Sequence, residues 1–504
     1  MKSEDTIEEA FIPIWEKTNK EIHLALDFKE NKAFLSQNLL YIHGEKEQEF
    51  LTLLTSEKES IVVNELDILG KYGLKAREMP NIIENRWSLG SIREFLNGNR
   101  FDITFRDVFN MVKEQLLYYI DLPDKNMYDF LSCWAIGTYF FPLFNTYPYV
   151  FLNATKRAGK TKILTLMSCI CFNSKFALSL TPATLFRLIQ GNRCTLLIDE
   201  TETITNKELG DFRSMLLSGY KKGIKVPRAQ EMRKKKAFSV QEFDVFSPKM
   251  LANINGIEDI LEDRCVTLVV LRTKDKSLGN REIDINGDEW QKIRDKLYIN
   301  LMNNWGELKK NYNILYDTFN LTHKKGVESV VSGVSVAEKR PNKKKTTIDV
   351  ENDGFHINQR TTLNTYNTPF LHTTLPNNNN NNTTLTTLDD VSYYLRKKYG
   401  LFSDTLHTET TQTYMDIVEQ FEMIRARDLE LWLPILSIGL TVGDDVFNNV
   451  ISMCMTNIRE KEVENVTENV DNIIIETLKE IIDEDKYIDQ SFLGYLSKRF
   501  IYLP

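Results

Sequence analysis

The sequence predicts an α/β fold in which a parallel sheet is flanked by helices. From about residue 147 to 271, short apolar strands alternate with amphipathic helices, which is typical of parallel strands joined by crossover helices. The length of 504 residues allows about two to four domains, and 42% hydrophobic residues are enough to form a buried core. Predicted strands cover Tyr149–Asn153, Lys175–Ser179, Thr195–Asp199, Lys249–Asn253 and Cys265–Leu271. Predicted helices cover Lys160–Phe172, Pro182–Gln190, Lys207–Leu217 and Ile257–Leu261.

Residues 1–120 are predicted to form a mixed α/β N-terminal region. Glu21–Tyr41 alternates like a β-hairpin, with the polar residues Lys29–Lys32 as its turn. Apolar residues at helical spacing predict a helix over 105–120, and Thr104 is in position to cap it. No catalytic group of residues is evident in this region.

The rest of the chain divides by composition. Residues 121–321 hold the predicted core, and residues 322–389, rich in Asn, Thr and Lys, predict a disordered linker or insert. The linker's basic run Lys339–Lys345 is interpreted as a solvated charge cluster, with nucleic-acid contact as the alternative. Residues 390–458 predict a helical lid and 459–504 a helical tail. Asp471–Phe500 resembles the beginning of a winged helix, and the chain stops before a wing could form, which suggests a natural truncation.

The uncharged run Phe130–Thr155 resembles a membrane span. Pro142 and Pro148 interrupt it, and its end runs into a polar turn, so a buried helix followed by a buried strand is the preferred interpretation. The six cysteines form no C-x-x-C pair, and the N-terminus has no signal pattern. We therefore expect a cytoplasmic protein with no membrane segment and no zinc site.

A phosphate-binding loop is predicted after the first core strand. The pattern G-x-x-x-x-G-K-[ST] is matched from Ala154 to Thr161, apart from its first glycine. Backbone N–H groups of such a loop surround a phosphate at the positive end of the following helix. Lys160 would contact the β- and γ-phosphates, and the Thr161 hydroxyl would bind magnesium. The predicted nucleotide-binding residues are Asn153, Ala154, Thr155, Lys156, Arg157, Ala158, Gly159, Lys160 and Thr161.

Ala154 replaces the first glycine of the pattern. An alanine is compatible with the loop only if its φ is negative.

The second part of the predicted site is Asp199-Glu200, which ends an apolar strand about forty residues further on. Asp199 would hold the magnesium ion through water, and Glu200 would polarise the attacking water. The alternative is simply a strand that enters solvent.

These segments resemble the AAA+ class of P-loop ATPases, in particular the helicase-like ATPases of phages, plasmids and archaeal mobile elements. The resemblance covers about residues 130–275 and a patch at Arg427–Leu436. The sequence segments that carry the resemblance are Tyr147–Asn153, Asn153–Thr161, Leu196–Glu200, Ser218–Lys222 and Leu261–Arg264.

The resemblance implies three further roles. Asn253 would orient the lytic water, with Asn255 as a rival and a polar strand end as the plain alternative. Arg264 would reach the γ-phosphate of a neighbouring subunit, which requires a homo-oligomeric ring; its alternative is a salt bridge at a helix end. Arg427 resembles a sensor on a lid helix.

A basic segment over 221–236 precedes the strand that ends at Asn253. It contains eight basic residues and one acid, a net charge of +7, so that the remaining chain carries −15 of the total of −8. It resembles a hairpin that helicases point into a central pore, where lysines follow a phosphate backbone. The alternative is a solvated loop. The predicted nucleic-acid contacts are Tyr220, Lys221, Lys222, Lys225 and Arg228.

We therefore expect an ATP- and Mg²⁺-dependent motor that acts on DNA, with single-stranded DNA as the partner. Two alternatives remain open from the sequence. One is a protein-remodelling or signalling ATPase, in which the basic segment grips an acidic polypeptide. The other is a nucleotide-binding scaffold without turnover, motivated by Ala154.

Overall fold

The computed structural model describes residues 21–43, 46–76, 86–98, 102–154, 157–176, 182–199, 206–232, 237–253, 259–336, 373–375, 383–385 and 424–463. The chain divides into two compact units, residues 1–450 and residues 451–504. The second unit is helical over 451–463. The predicted winged-helix segment Asp471–Phe500 lies outside the described residues.

The N-terminal region contains a four-stranded antiparallel sheet in the order β2-β3-β4-β5. The predicted hairpin is shorter than expected: its turn is Glu30-Asn31, where both φ angles are positive. The arm before the turn is only three residues long, because the Asp27 carboxylate accepts the His23 N–H and ends the extended chain there. The strands are β1 Glu21–Ile22, β2 Asp27–Lys29, β3 Lys32–His43, β4 Lys46–Thr55, β5 Ser60–Val62 and β6 Lys75–Ala76. The strand β1 pairs in parallel with β6.

Helices α1 Glu65–Tyr72, α2 Leu89–Leu96 and α3 Phe105–Tyr119 complete this region. The predicted cap of α3 is confirmed: the Thr104 hydroxyl accepts the Asp107 N–H, and the Asp107 carboxylate accepts the Thr104 N–H in return.

A five-stranded parallel sheet in the order β13-β7-β12-β9-β8 forms the centre of the first unit. Helices flank it, which confirms the predicted fold class at that level. The strands are β7 Tyr149–Ala154, β8 Lys175–Phe176, β9 Leu196–Ile198, β12 Lys249–Asn253 and β13 Cys265–Val270. The helices between them are α5 Lys160–Ile170, α6 Pro182–Asn192, α7 Asn206–Ser218 and α8 Asp259–Glu262.

Every strand and helix predicted for this core is present, with ends shifted by a few residues. Strand β8 is shortened most relative to its prediction, Lys175–Ser179, because residues 177–181 lie outside the described part. Between α7 and β12 the chain forms an antiparallel hairpin of β10 Lys225–Met232 and β11 Ala237–Asp244. Residues 233–236, between the two strands, are outside the described residues.

The apolar run before the phosphate loop is buried inside the protein. Helix α4, Asn126–Gly137, is buried over its last ten residues, and β7 follows it into the sheet. This confirms a buried helix and strand. Among the described residues, no helix is both long enough and apolar enough to cross a membrane. All six cysteines are buried as free thiols.

After the sheet come α9 Lys276–Gly279 and the long helix α10 Asp288–Val336. Helix α10 passes the predicted linker boundary at 321, and residues 337–372 are outside the described part. Within the linker range, β14 Thr373–Leu375 and β15 Thr383–Leu385 form a small antiparallel pair. Helix α11, Ala426–Val442, packs against α10 and α4.

Candidate nucleotide-binding site

The predicted phosphate loop, residues 154–161, begins at the carboxyl end of β7, the second strand of the central sheet. Ala154 is the last residue of β7 and pairs with Val270, so its backbone is extended. Because its φ is not positive, the alanine at the first loop position is compatible with the loop.

The loop turns sharply into α5. Gly159 precedes the helix with φ +97°, a left-handed conformation that glycine adopts without strain. Arg157 also has a positive φ, +65°, which costs a non-glycine residue free energy. Lys160 begins α5 and is 9% exposed. Thr155 and Lys156 lie outside the described residues, and Ala158 is buried next to Gly159.

The structure brings Thr161 and Asp199 together. The Thr161 hydroxyl donates to the Asp199 carboxylate at 2.8 Å. Thr161 lies in the first turn of α5, whereas Asp199 directly follows β9, so a contact across 38 residues of chain joins the two predicted magnesium ligands. Glu200, the next residue, is outside the described part.

Asn253 ends the strand that lies between the phosphate-loop strand and the Asp199 strand. In the sheet it is in register with Asn153. The carboxyl ends of β7, β12 and β9 therefore bring Asn153, Asn253 and Asp199 to the same edge of the sheet, which we call the carboxyl edge. The rival Asn255 lies outside the described residues.

A cavity of about 270 Å³ adjoins the loop on the side of β13. Its walls come from three segments that are distant in sequence: the end of α3 with the residues after it, the start of α5, and the chain over 270–280. The Thr273 hydroxyl donates to the Asp121 carboxylate at 2.6 Å, and Lys162 Nζ donates to the Leu278 carbonyl at 2.8 Å. These two bonds hold the walls together.

The cavity is lined by side chains of both positive and negative charge. Asp275 caps α9 by accepting the N–H groups of Ser277 and Leu278, and hydrogen bonds from Ser277 hold the pKa of its carboxyl below the ordinary value. Burial lowers the pKa of Lys162, which lies opposite. The sequence analysis missed this cavity, since only the fold brings its segments together.

Arg264 lies at the other end of the sheet, the amino edge, where its carbonyl accepts the Tyr149 N–H at 3.0 Å. Its Nε donates to the Leu217 carbonyl at 3.2 Å, and its Nη1 donates to the Ile260 carbonyl. The guanidinium carbon is 5.1 Å from the centre of the Tyr220 ring. Within the described part of the chain, the groups that hold this side chain are thus carbonyls and a ring.

Arg427 is also at the amino edge, 3.5 Å from the Asp263 carboxylate. Strand β7 has six residues, which at about 3.3 Å per residue separates this edge from the loop by roughly 20 Å. Arg427 therefore does not line the phosphate loop of its own chain. A role as a sensor for that loop does not fit this position.

The predicted nucleic-acid residues occupy the base and first strand of the β10–β11 hairpin. Lys221 Nζ forms an ion pair with Glu430 at 2.7 Å, and Lys222 Nζ donates to the Pro142 carbonyl at 2.7 Å. The Tyr220 carbonyl accepts the Tyr147 N–H. These three residues therefore fasten the hairpin to the amino edge.

The two residues on β10 itself are partly exposed. Lys225 is 3.3 Å from the Glu242 carboxylate, with 42% of its side chain exposed. Arg228 pairs with Asp211 at 3.0 Å and lies 4.8 Å from the Phe186 ring centre. Lys221 and Lys225 have similar side-chain exposures, 40% and 42%, and Lys225 is the one that lies on a strand of the hairpin.

No protein-family profile matches the chain, and no curated protein matches it. Solved structures that are similar to it include two of one protein region. The apo structure of the NrS-1 C terminal region is 12% identical with a TM-score of 0.27, and the match covers 59% of this chain and 79% of that chain. An A form apo structure of the same region is 12% identical with a TM-score of 0.25, covering 56% and 77%. At these values the likeness carries no functional argument, so function is argued from the geometry of the site.

Proposed function

We propose that the chain is a P-loop ATPase of the AAA+ class that couples ATP hydrolysis to work on single-stranded DNA. The observation that carries the proposal is the 2.8 Å bond between Thr161 and Asp199, beside Lys160 at the start of α5. A hydroxyl and a carboxylate meet there at the positive end of a helix that begins with Lys160, which suits a nucleoside triphosphate and its metal ion.

The Thr161–Asp199 pair fits a magnesium ion. Both side chains offer oxygen ligands, which Mg²⁺ prefers, and the ion retains several water ligands in such sites. When bound, the ion would neutralise the β- and γ-phosphate oxygens. The chain's own groups would hold it: the Thr161 hydroxyl directly, and the Asp199 carboxylate through water.

In the proposed reaction, the oxygen of a water molecule attacks the γ-phosphorus. The bond from that phosphorus to the β–γ bridging oxygen breaks, which leaves ADP and inorganic phosphate. Glu200 accepts the proton of the water, Asn253 orients the water, and Lys160 stabilises charge on the γ-phosphate. The register of Asn253 with Asn153 supports this role, since it brings Asn253 to the strand end beside the loop.

The cavity beside the loop supports binding of the nucleoside part of ATP. At about 270 Å³, it is close to the lower end of the range for small-molecule sites. Its apolar residues suit a base, while Asp121 and Asp275 can accept hydrogen bonds from an exocyclic amino group.

Two features support the partner proposals. The basic β10–β11 hairpin supports DNA as the partner, because ammonium and guanidinium groups on an exposed hairpin suit a phosphate backbone. The position of Arg264 at the amino edge, remote from the loop of its own chain, is compatible with a ring in which its guanidinium serves a neighbour's loop. The extended backbone of Ala154 supports a loop that accepts an alanine at its first position.

Phosphate release, measured with and without single-stranded DNA, tests the proposal. We expect turnover by the wild type, loss of turnover in Lys160→Ala, and a higher wild-type rate with DNA. Turnover without DNA stimulation would favour the protein-remodelling alternative. A wild-type rate no higher than that of Lys160→Ala would favour the scaffold.

A further inference from the structure

A fully buried ammonium group lies at the first residue of β12. Lys249 is 0% exposed, and its Nζ donates to the Val245 carbonyl at 3.0 Å and to the carbonyl and hydroxyl of Ser247, each at 3.1 Å. The Gly219 carbonyl lies at 3.5 Å. On another side, Nζ is 4.9 Å from the centre of the Tyr149 ring.

The oxygens that accept these hydrogen bonds are all neutral. Burying an ammonium group is costly, and neutral acceptors offset only part of the cost. A methionine would fill the same space with no charge to bury. The ammonium is therefore better explained by the geometry that it imposes on the carbonyls around it than by packing alone.

The carbonyls belong to both ends of the basic hairpin. Gly219 directly precedes the residues that enter the hairpin, and Val245–Ser247 is the chain that leaves it. A direct backbone bond also joins the two ends, from the Ser247 N–H to the Gly219 carbonyl at 3.2 Å. The approach at Gly219 is close: a Cβ added there would lie 2.6 Å from Lys249 Nζ and 2.4 Å from the Val245 oxygen.

The same ammonium lies at the amino ends of two strands that lead to the nucleotide site. Lys249 begins β12, which ends at Asn253, and Tyr149 begins β7, which leads to the phosphate loop. Strand β12 is hydrogen-bonded to β7 on one side and to β9 on the other. Because it is held on both sides, we expect a displacement at Lys249 to be passed along the strand to Asn253.

We infer that Lys249 is a positioning residue that couples ligand binding at the β10–β11 hairpin to hydrolysis at the phosphate loop. The inference rests on the proposed function. Single-stranded DNA that shifts the hairpin shifts the carbonyls of Gly219, Val245 and Ser247, and the ammonium carries that shift to β12 and Asn253. Without the ammonium, the hairpin binds DNA but the nucleotide site does not respond.

The variant Lys249→Met tests this, because it keeps the length of the side chain and removes its three donors. We expect DNA affinity and unstimulated phosphate release within about two-fold of the wild type, and DNA stimulation of the rate reduced by about five-fold or more, a typical size for coupling between two sites. The matched control is Lys292→Met, an exposed lysine on α10, which is expected to keep full stimulation.

A pH series on the unaltered protein gives a second test that does not depend on a variant folding. Burial lowers the pKa of Lys249 to about 7, while Cys194 and Asp244 act to raise it, and the Tyr149 ring faces the same group. The ammonium is present below that pH and loses a donor as the pH rises through it. The ratio of stimulated to unstimulated rate should therefore fall between about pH 6 and about pH 8.5.

The outcomes separate the inference from the proposed function. If the wild type is stimulated and Lys249→Met is stimulated equally, the coupling role is wrong and the ATPase proposal stands. A stimulation ratio that stays constant across the pH series also overturns the coupling role. If the wild type releases no more phosphate than Lys160→Ala, the ATPase proposal is wrong and the inference fails with it.

Discussion

The two edges of the central sheet differ in how their polar groups are held. At the carboxyl edge, Lys160, Thr161 and Asp199 are brought together by the backbone, through a left-handed turn at Gly159 and the ends of β7 and β9. At the amino edge, the charged side chains are fastened to other groups of the same chain, as in Lys221 with Glu430. The carboxyl edge thus has the geometry of a site for a small anion, whereas the amino edge anchors the hairpin.

This difference indicates separate roles for the two edges: chemistry at the carboxyl edge and nucleic-acid binding at the hairpin. The proposed chemistry at the carboxyl edge would depend on a few atoms in fixed positions, so single substitutions there should have large effects. Binding of a nucleic acid along a hairpin is shared among several charges, so single substitutions there should have small effects.

Replacing Lys160 with alanine should reduce phosphate release by about 100-fold or more, because one preorganised donor to the developing charge is lost. Steady-state phosphate release measures it. Lys292→Ala, which removes an exposed lysine of α10, is the control and should be unchanged. A loss of less than about three-fold in Lys160→Ala would contradict the assignment of the loop.

Asp199→Asn should raise the Mg²⁺ concentration needed for half-maximal turnover by about 10-fold or more, since the amide no longer carries the charge that holds the ion's water shell. A Mg²⁺ titration of the rate at saturating ATP measures it. An unchanged Mg²⁺ requirement would mean that Asp199 is only the polar end of a strand.

Gly159→Ala should weaken ATP binding by about 5- to 30-fold. No atom of the described residues lies within 4 Å of the added methyl group, so the penalty comes from the positive φ, which costs a non-glycine residue about 1–2 kcal/mol. Equilibrium binding of ATP measures it. Gly191→Ala on α6 is the matched control: an added Cβ there also meets nothing within 4 Å, and its φ is not positive, so binding should be unchanged.

Lys225→Ala should weaken binding of single-stranded DNA only a few-fold, and it should reduce the slope of log affinity against log salt by about 0.7, the value for one phosphate contact. Fluorescence anisotropy over a series of salt concentrations measures both. A slope identical to that of the wild type would mean that Lys225 is a solvated charge paired with Glu242.

Much of the core could be predicted from the sequence, because the pattern of apolar strands and amphipathic helices is local. The strand Lys249–Asn253 and the capped helix at Thr104 follow from side chains within a few residues. The same holds for the loop, whose residues are contiguous.

What depends on distant contacts could not be predicted. The cavity joins Asp121 to Thr273, which are 152 residues apart in sequence. The position of Arg427 beside Asp263 is set by the packing of α11, and no local pattern records it. In the sequence, Lys249 is an ordinary lysine at the start of a predicted strand, because its burial depends on contacts that form only in the folded chain.

The most direct test of the two-edge account is phosphate release measured against single-stranded DNA concentration for the wild type, Lys160→Ala and Lys225→Ala in parallel. We expect Lys160→Ala to lose the rate at every DNA concentration. Lys225→Ala should keep the unstimulated and maximal rates and require more DNA to reach the maximum. If both variants alter the same parameter, or if neither differs from the wild type, the division of labour between the two edges of the sheet is contradicted.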